Sequence, residues 1–348
     1  MTAMAPHPGF DALASGTLAV MTPPLSILDL AIVGPHDSVA DSLAGCVTVA
    51  QRAEAHGYRR VWYAEHHNMA AIASSATAVL IAHVAAHTER IRLGSGGIML
   101  PNHAPLVVAE QFGTLASLHP GRIDLGLGRA PGTDQATVRA LRRDPTAAEH
   151  FPQDVVELQA FLGDESRVPG VEATPGKGTR VPIYILGSSL FGAELAGLLG
   201  LPYGFASHFA PQALVEAVAR YRRTFRPSAQ LDTPHVIAGV NVIAADTDDE
   251  ARDHFAATRR ARVKRMFHRG GRPLSDADAD AVLGSPQAAY VDEMMRHTAV
   301  GTPDQVAAVL DEFARVADAD ELMTVHNATS LEARIRSVEL TAAAVGVA

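Results

Sequence analysis

Eight short runs of apolar, largely β-branched residues recur along the chain, each separated from the next by a longer amphipathic or alanine-rich stretch. The runs are LSILDLAIV (25–33), RRVWYAEHH (59–67), IRLGSGGIML (91–100), RIDLGLG (122–128), VPIYILG (181–187), YGFASHF (203–209), VIAGVNVIAA (236–245) and ELMTVHN (321–327). Such runs, divided by helix-length segments, read as parallel strands joined by crossover helices. Helices are expected over 41–56, 74–87, 104–118, 153–163, 189–199, 211–224, 248–267, 303–316 and 330–344, several opened by Ser, Asp or Pro at a cap or first-turn position. Eight βα units in 348 residues predict an α/β fold of the (β/α)8 TIM-barrel type. The competing doubly wound sheet is disfavoured because the first strand-to-helix turn, IVGPHDS, lacks G-x-G-x-x-G.

Residues 1–24 read as a loose extension and 25–348 as one barrel domain. Two intervals, about 130–180 and about 262–302, are too long for simple connections and are expected as insertions at the C-terminal face of the barrel. The helix expected at 74–87, SSATAVLIAHVAAH, is apolar on nearly every face, whereas an outer barrel helix keeps a polar face toward water. A subunit interface, and hence a homodimer, is the expected cover, with burial under the N-terminal extension as the plainer alternative.

Composition narrows the partners. Hydrophobic residues make up 47%, so a large core can be buried. With 29 Lys+Arg against 38 Asp+Glu the net charge is −9, which argues against nucleic acid and anionic membrane and for a small-molecule substrate. No apolar run reaches the roughly 18 to 20 residues that span a bilayer, and the start of the chain lacks a basic leader pattern. The lone cysteine, Cys46, cannot form an internal disulfide and reads as an inert packed thiol. A cytoplasmic location is expected.

In a TIM barrel the chemistry sits where strands end. Those ends carry His36, Glu65–His66–His67–Asn68, Asn102–His103, Arg129, Ser188–Ser189, Ser207–His208, Asn241 and His326–Asn327. At 181–200 a strand enters a Gly187–Ser188–Ser189 turn and then an apolar helix, an arrangement suited to a phosphate through exposed amides and hydroxyls; its plainer reading is a Ser cap. Arg129, in the Gly-rich turn of RIDLGLGRAPGT, would supply the cationic half of a phosphate clamp or else a loop salt bridge. Gly96–Gly97, inside a strand, marks a bulge, close packing or the approach of a flat ligand. The Arg-rich stretch RRARVKRMFHRGGR (259–272) reads as a solvated helix face, or as a lid element that attracts an anionic flavin or substrate. A metal-dependent barrel hydrolase using His66, His67, His208 and His326 is a rival, but the chain lacks H-x-H after its first strand and any H-E-x-x-H helix, so no metal site is expected.

WYAEHHN (62–68), SGGIMLPNHAPLVVAEQFGTLASLHPGRIDLGLGRAPG (95–132) and ILGSSLFGAELA (185–196) occur together and in order, and with FASHFAP (205–211) and the GTPDQV (301–306) to DELMTV (320–325) ending the chain resembles the bacterial luciferase-like, flavin-dependent monooxygenases. The likeness runs from about Leu25 to Leu340 and is nearest to the single-component-chain relatives, some of which act as tailoring oxygenases in aromatic polyketide pathways. It implies reduced FMN (FMNH2) as cofactor and O2 as co-substrate, reacting through a C4a-(hydro)peroxyflavin, with a separate NAD(P)H-dependent flavin reductase as partner. Within the E-H-H motif it makes His66 the catalytic histidine and sets Glu65 beside the cofactor. Gly96–Gly97 match the family's non-proline cis peptide beneath the flavin ring, and Arg129 with Gly187, Ser188 and Ser189 match its FMN-phosphate contacts. The residue before the arginine, a reactive cysteine in light-emitting luciferase, is Gly128 here, so light emission is not expected. An F420-dependent oxidoreductase of the same fold and a non-catalytic flavin-binding protein are the alternatives within this resemblance.

Overall fold

The computed structural model describes residues 22–346 apart from 35–36, 131, 145 and 267–273. Seven of the apolar runs become β1 (Leu25–Asp29), β2 (Arg60–Tyr63), β3 (Arg92–Met99), β4 (Ile123–Gly128), β5 (Ile183–Gly187), β6 (Tyr203–Phe205) and β7 (Val236–Ala244). A short β8 (Thr298–Gly301) follows, and the eighth run is β9 (Glu321–His326). All strand pairings are parallel: β1 to β7 pair in succession, β7 pairs with β9, and β9 returns to β1, which closes the barrel. β8 lies outside the ring, pairing only with the upper half of β7 from Asn241↔Thr298 to Ala244↔Gly301. The fold is the expected (β/α)8 barrel.

The surrounding helices are α1 (Val39–Ala55), α2 (Thr77–Ala85), α3 (Pro105–Leu118), α4 (Gln135–Ala140), α5 (Phe151–Leu162), α6 (Leu190–Leu199), α7 (Leu214–Thr224), α8 (Asp248–Met266), α9 (Asp276–Leu283), α10 (Ala288–Met294), α11 (Pro303–Ala317) and α12 (Leu331–Val345). Their ends follow from local chemistry. Ser38 with Asp41 opens α1 and Thr302 with Gln305 opens α11 as reciprocal caps, each satisfying amides that have no partner within the helix. α6 stops at Gly200, whose φ of 63° is open to glycine at little cost.

The interval read as a second insertion carries regular elements of its own. Within 262–302 lie the end of α8, then α9, α10 and β8, with Val263, Ala279, Val291 and Met295 forming a small apolar cluster of their own. α2 is shorter than the 74–87 expected. Leu80, Ile81, Val84 and Ala85 pack inward, while its outward face carries Val79, 71% exposed, and His83. α3, which packs beside it, exposes Val107 and Leu118. Among the described residues no helix is long and apolar enough to cross a membrane.

The barrel interior is filled, so any site must lie above it. At the floor the Arg60 guanidinium, 1% exposed, donates to Asp124 and Tyr184 at 2.7 Å each and reaches Glu321 at 2.9 Å. Trp62 Nε1 also donates to Asp124, at 3.1 Å. Over this polar floor Leu28, Trp62, Ala64, Tyr184, Ile237, Met323 and Val325 form an apolar plug. Cys46 is buried in the outer layer, where burial pushes its thiol far above the usual range.

Candidate active site

β2 ends at Tyr63, and the chain then turns out of the sheet, carrying Glu65, His66 and His67 onto the C-terminal rim. The Glu65 carboxylate is 1% exposed and accepts from His67 Nε2 at 2.8 Å, His103 Nε2 at 2.8 Å and the Met99 backbone N–H at 3.1 Å. Burial alone would push this carboxyl up. The hydrogen bond and charge of His103, with the bonds from His67 and Met99, overcome that and hold it below the usual carboxylate range. An ionised carboxylate only accepts, so both Nε2 atoms carry protons. The three groups offer ligand atoms within 4.8 Å of one another.

His66 stands apart from this cluster. Its Nδ1 is buried and has no hydrogen-bond partner among the described residues, and burial lowers its pKa, against the raising charge of Glu65. Across the mouth, His208 follows β6 and lies over Gly239 of β7, where a Cβ would come within 2.5 Å of its Nδ1. That nitrogen is likewise buried and unpartnered. Burial and the charges of Arg262 and His66 push His208 down to about 3. Its loop is tied to β7 by Ser207 Oγ donating to the Gly239 carbonyl at 2.6 Å and Asn241 Nδ2 donating to the His208 carbonyl at 2.7 Å. Asn327 Nδ2 in turn donates to Asn241 Oδ1 at 3.0 Å.

The Gly96–Gly97 peptide bond is cis, and the β3–β4 register shifts between Ser95 and Ile98. A side chain at Gly97 would meet the Gly126 carbonyl at 2.7 Å and Leu186 at 2.8 Å, so the residue type follows from close packing. Gly128 is similarly confined: its Cβ would lie 2.8 Å from Met99 Sδ. A methionine sulfur thus occupies the space beside the position read as a cysteine in light-emitting relatives.

Arg129 and the Gly187–Ser188–Ser189 turn come together. The Arg129 guanidinium carbon lies 4.3 Å from the centre of the Phe191 ring on the first turn of α6. Ser189 is the residue preceding α6, but its side chain makes no capping bond, which departs from the plain Ser-cap reading. Tyr203 Oη instead donates to its carbonyl at 3.0 Å. The space where a Gly187 side chain would stand is open.

Of the remaining rim residues, Asn68 donates to Asp134 at 2.8 Å, and Asn102 is buried, its carbonyl accepting from Arg143. His36 lies outside the described residues. His326 does not belong to the rim. As an outward-facing residue of β9 it lies in the helix layer, 2.9 Å from Ser337 Oγ and 3.1 Å from Thr324 Oγ1, so the four-histidine metal set is not assembled. The two-residue period of a strand puts His326 on the face opposite Val325. Sequence reasoning missed the polar floor built on Arg60, because a charged residue inside a strand run gives no sign of its partners.

A closed parallel barrel with a polar C-terminal rim defines the class: a TIM-barrel enzyme. The luciferase-like monooxygenase family profile matches residues 24–319. A luciferase-like monooxygenase of Escherichia coli (strain K12) is 45% identical over 90% of this chain and 95% of its own length. The N-acetyl-S-alkylcysteine monooxygenase of Bacillus subtilis (strain 168) is 35% identical over 83% and 88%. The crystal structure of apo-MsnO8 superposes with a TM-score of 0.85 at 35% identity, covering 94% of this chain and 99% of that one. The chain belongs to the luciferase-like monooxygenase family and is an oxidoreductase that incorporates molecular oxygen.

Proposed function

We propose that this protein is an FMN-dependent monooxygenase that uses externally supplied reduced FMN and O2 to oxygenate a small organic substrate. The observation that carries this reading is the juxtaposition of Arg129 with the first turn of α6, on the same rim as His66. The residues fit a flavin phosphate: a charged planar fork, helix-start amides left uncapped by Ser189, and open space at Gly187. Arg129, Gly187, Ser188 and Ser189 would hold the phosphate, and Gly96–Gly97 with Glu65 would border the ring.

Bound reduced FMN supplies the electrons that activate O2 for transfer of one oxygen atom. His66, with a buried unpartnered Nδ1 and a lowered pKa, stays neutral at pH 7 and holds or moves a proton at that nitrogen. Glu65 fixes the proton positions of His67 and His103, and the apolar plug below excludes water. A separate NAD(P)H-dependent flavin reductase is the proposed partner. A second copy of the chain is the proposed cover for the exposed Val79, Val107 and Leu118.

Anaerobic titration with reduced FMN, oxidised FMN and reduced F420, followed by admission of O2, tests the reading. Preference for reduced FMN, weakened in Arg129→Ala, with oxygen-dependent flavin spectra altered in His66→Ala, is the expected result. Preference for F420, or no flavin binding, overturns it.

A further inference from the structure

The Arg-rich helix α8 holds a cation that its neighbours do not explain. Arg259 pairs with Asp292 at 2.5 Å, Arg260 with Asp280 at 2.6 Å and Lys264 with Asp276 at 2.7 Å, all toward the α9–α10 side. Arg262 has no acidic partner among the described residues, and its Nε is buried without a hydrogen bond. The rest of its side chain is partly exposed, so this charged fork without a fixed acidic partner is suited to an anion that arrives from outside.

The helix geometry shows where that anion would sit. His254, Thr258 and Arg262 are four residues apart and therefore lie along one face of α8. His254 Nδ1 lies 3.1 Å from Thr329 Oγ1, in the loop that follows β9. This face is thus turned to the C-terminal rim, and the charge of Arg262 acts on His208. Among the described residues His66 Nδ1, His208 Nδ1 and Arg262 Nε are buried polar atoms without partners, and the charges of His66 and Arg262 both act on His208. Burial and the neighbouring charge of Arg265 lower the Arg262 pKa only to about 10, so the guanidinium remains charged at neutral pH. Arg129 follows β4, whereas α8 packs on β7 and β8, so the two cations serve different arcs of the rim.

We propose that Arg262 is a specificity-determining residue that binds the carboxylate of an organic substrate and thereby sets its reactive part above the His66–His208 mouth. The proposal rests on the monooxygenase reading of the site and adds to it a substrate class, small organic carboxylates. A planar fork facing a carboxylate forms two parallel charge-assisted hydrogen bonds, which orients as well as binds. Neutral His208, beside it, offers a further polar atom without adding repulsive charge to the arginine.

The test is a 19F NMR binding titration with 4-fluorobenzoate, 4-fluorophenylacetate and 3-(4-fluorophenyl)propanoate, each against its primary amide. It is run on the full chain with and without FMN, using wild type, Arg262→Gln, Arg262→Lys and Arg129→Ala. At least one carboxylate is expected to bind the wild type about tenfold or more tightly than its amide, as a charge-assisted pair implies. Arg262→Gln should abolish the preference, Arg262→Lys should keep part of it, and Arg129→Ala should leave it intact. Equal binding of acids and amides, no binding of any acid, or a preference that survives Arg262→Gln overturns the proposal. Loss in Arg129→Ala alone would assign the anion to the flavin-phosphate site and also overturn it. FMN affinity, read separately by fluorescence quenching, keeps the two readings distinct: its absence in the wild type counts against the flavin assignment and leaves the carboxylate preference to stand or fall on Arg262. Thermal melts of the Gln and Lys variants exclude misfolding as the cause.

Discussion

The Arg129 guanidinium carbon lies 4.3 Å from the centre of the Phe191 ring, so one aromatic side chain on α6 joins two segments 62 residues apart in sequence. The contact holds an always-charged fork at the start of a helix, where an anion is favoured from both sides. Arg129→Ala is therefore expected to weaken FMN binding by about 10- to 100-fold, the range of one charge-assisted hydrogen-bonded pair. Riboflavin, which lacks the phosphate, should bind wild type and variant alike. Isothermal titration with both flavins checks this, and equal losses for both would remove Arg129 from the phosphate site.

Glu65 is a positioning residue. Its carboxylate satisfies two imidazole N–H groups and one backbone N–H, a set an amide cannot match because one of its ends donates. Glu65→Gln is expected to lower kcat by about tenfold or more, the loss of a charged hydrogen bond, with FMN affinity changed much less. The charge of Glu65 also raises the His66 pKa, so its removal should move the acid limb of the pH–rate profile to lower pH. A profile that stays in place would separate Glu65 from His66.

His326 makes stability depend on pH. Its folded-state pKa is pushed down to about 3 by burial and by the charge of Arg334, whereas in the unfolded chain it titrates near the ordinary histidine value of 6.5. Between these values the unfolded state binds more protons, so stability falls as pH falls from 6.5 toward 3, by up to about 1.4 kcal/mol per pH unit from this group. Urea denaturation at pH 7 and pH 5 should show that slope in wild type and a shallower one in His326→Gln. That variant is also expected to be less stable at pH 7, since the ring bonds Ser337 and Thr324 are altered.

Much of this architecture is legible in the sequence, and the exceptions have physical causes. The eight β-branched runs mark the barrel strands because parallel strands covered on both faces stay apolar throughout. The run 59–67 overshoots, since Trp62, Tyr63 and Ala64 continue an apolar pattern while the backbone leaves the sheet after Tyr63. β8 escapes notice because Thr298–Gly301 is four residues long and pairs only with the upper half of β7. The nearness of Arg129 to Phe191 and of Arg262 to His208 depends on tertiary packing between distant segments, which no local pattern encodes. His326 is misread for the opposite reason: position at a strand end says nothing of which face the side chain takes, and one step along the strand moves it from the mouth to the helix layer.

The polar floor yields the last prediction. Arg60 stands between Asp124 and Glu321, all three nearly inaccessible to solvent, so removing the cation leaves two carboxylates short of a partner. Breaking a buried pair from one side costs about 3 to 5 kcal/mol. Here the lower end is expected, because Asp124 keeps Arg92 and Glu321 keeps Arg59 at 3.4 Å and His235 at 3.3 Å. Arg60→Met should therefore destabilise the barrel by about 3 kcal/mol in urea denaturation. Glu321→Gln introduced into that variant should restore part of the loss, because it removes the carboxylate left underpaired. Additive losses in the double variant would mean that Arg60 acts through packing against Trp62 and Tyr184, whose ring centres lie 5.4 and 5.1 Å from its guanidinium carbon, and not through Glu321.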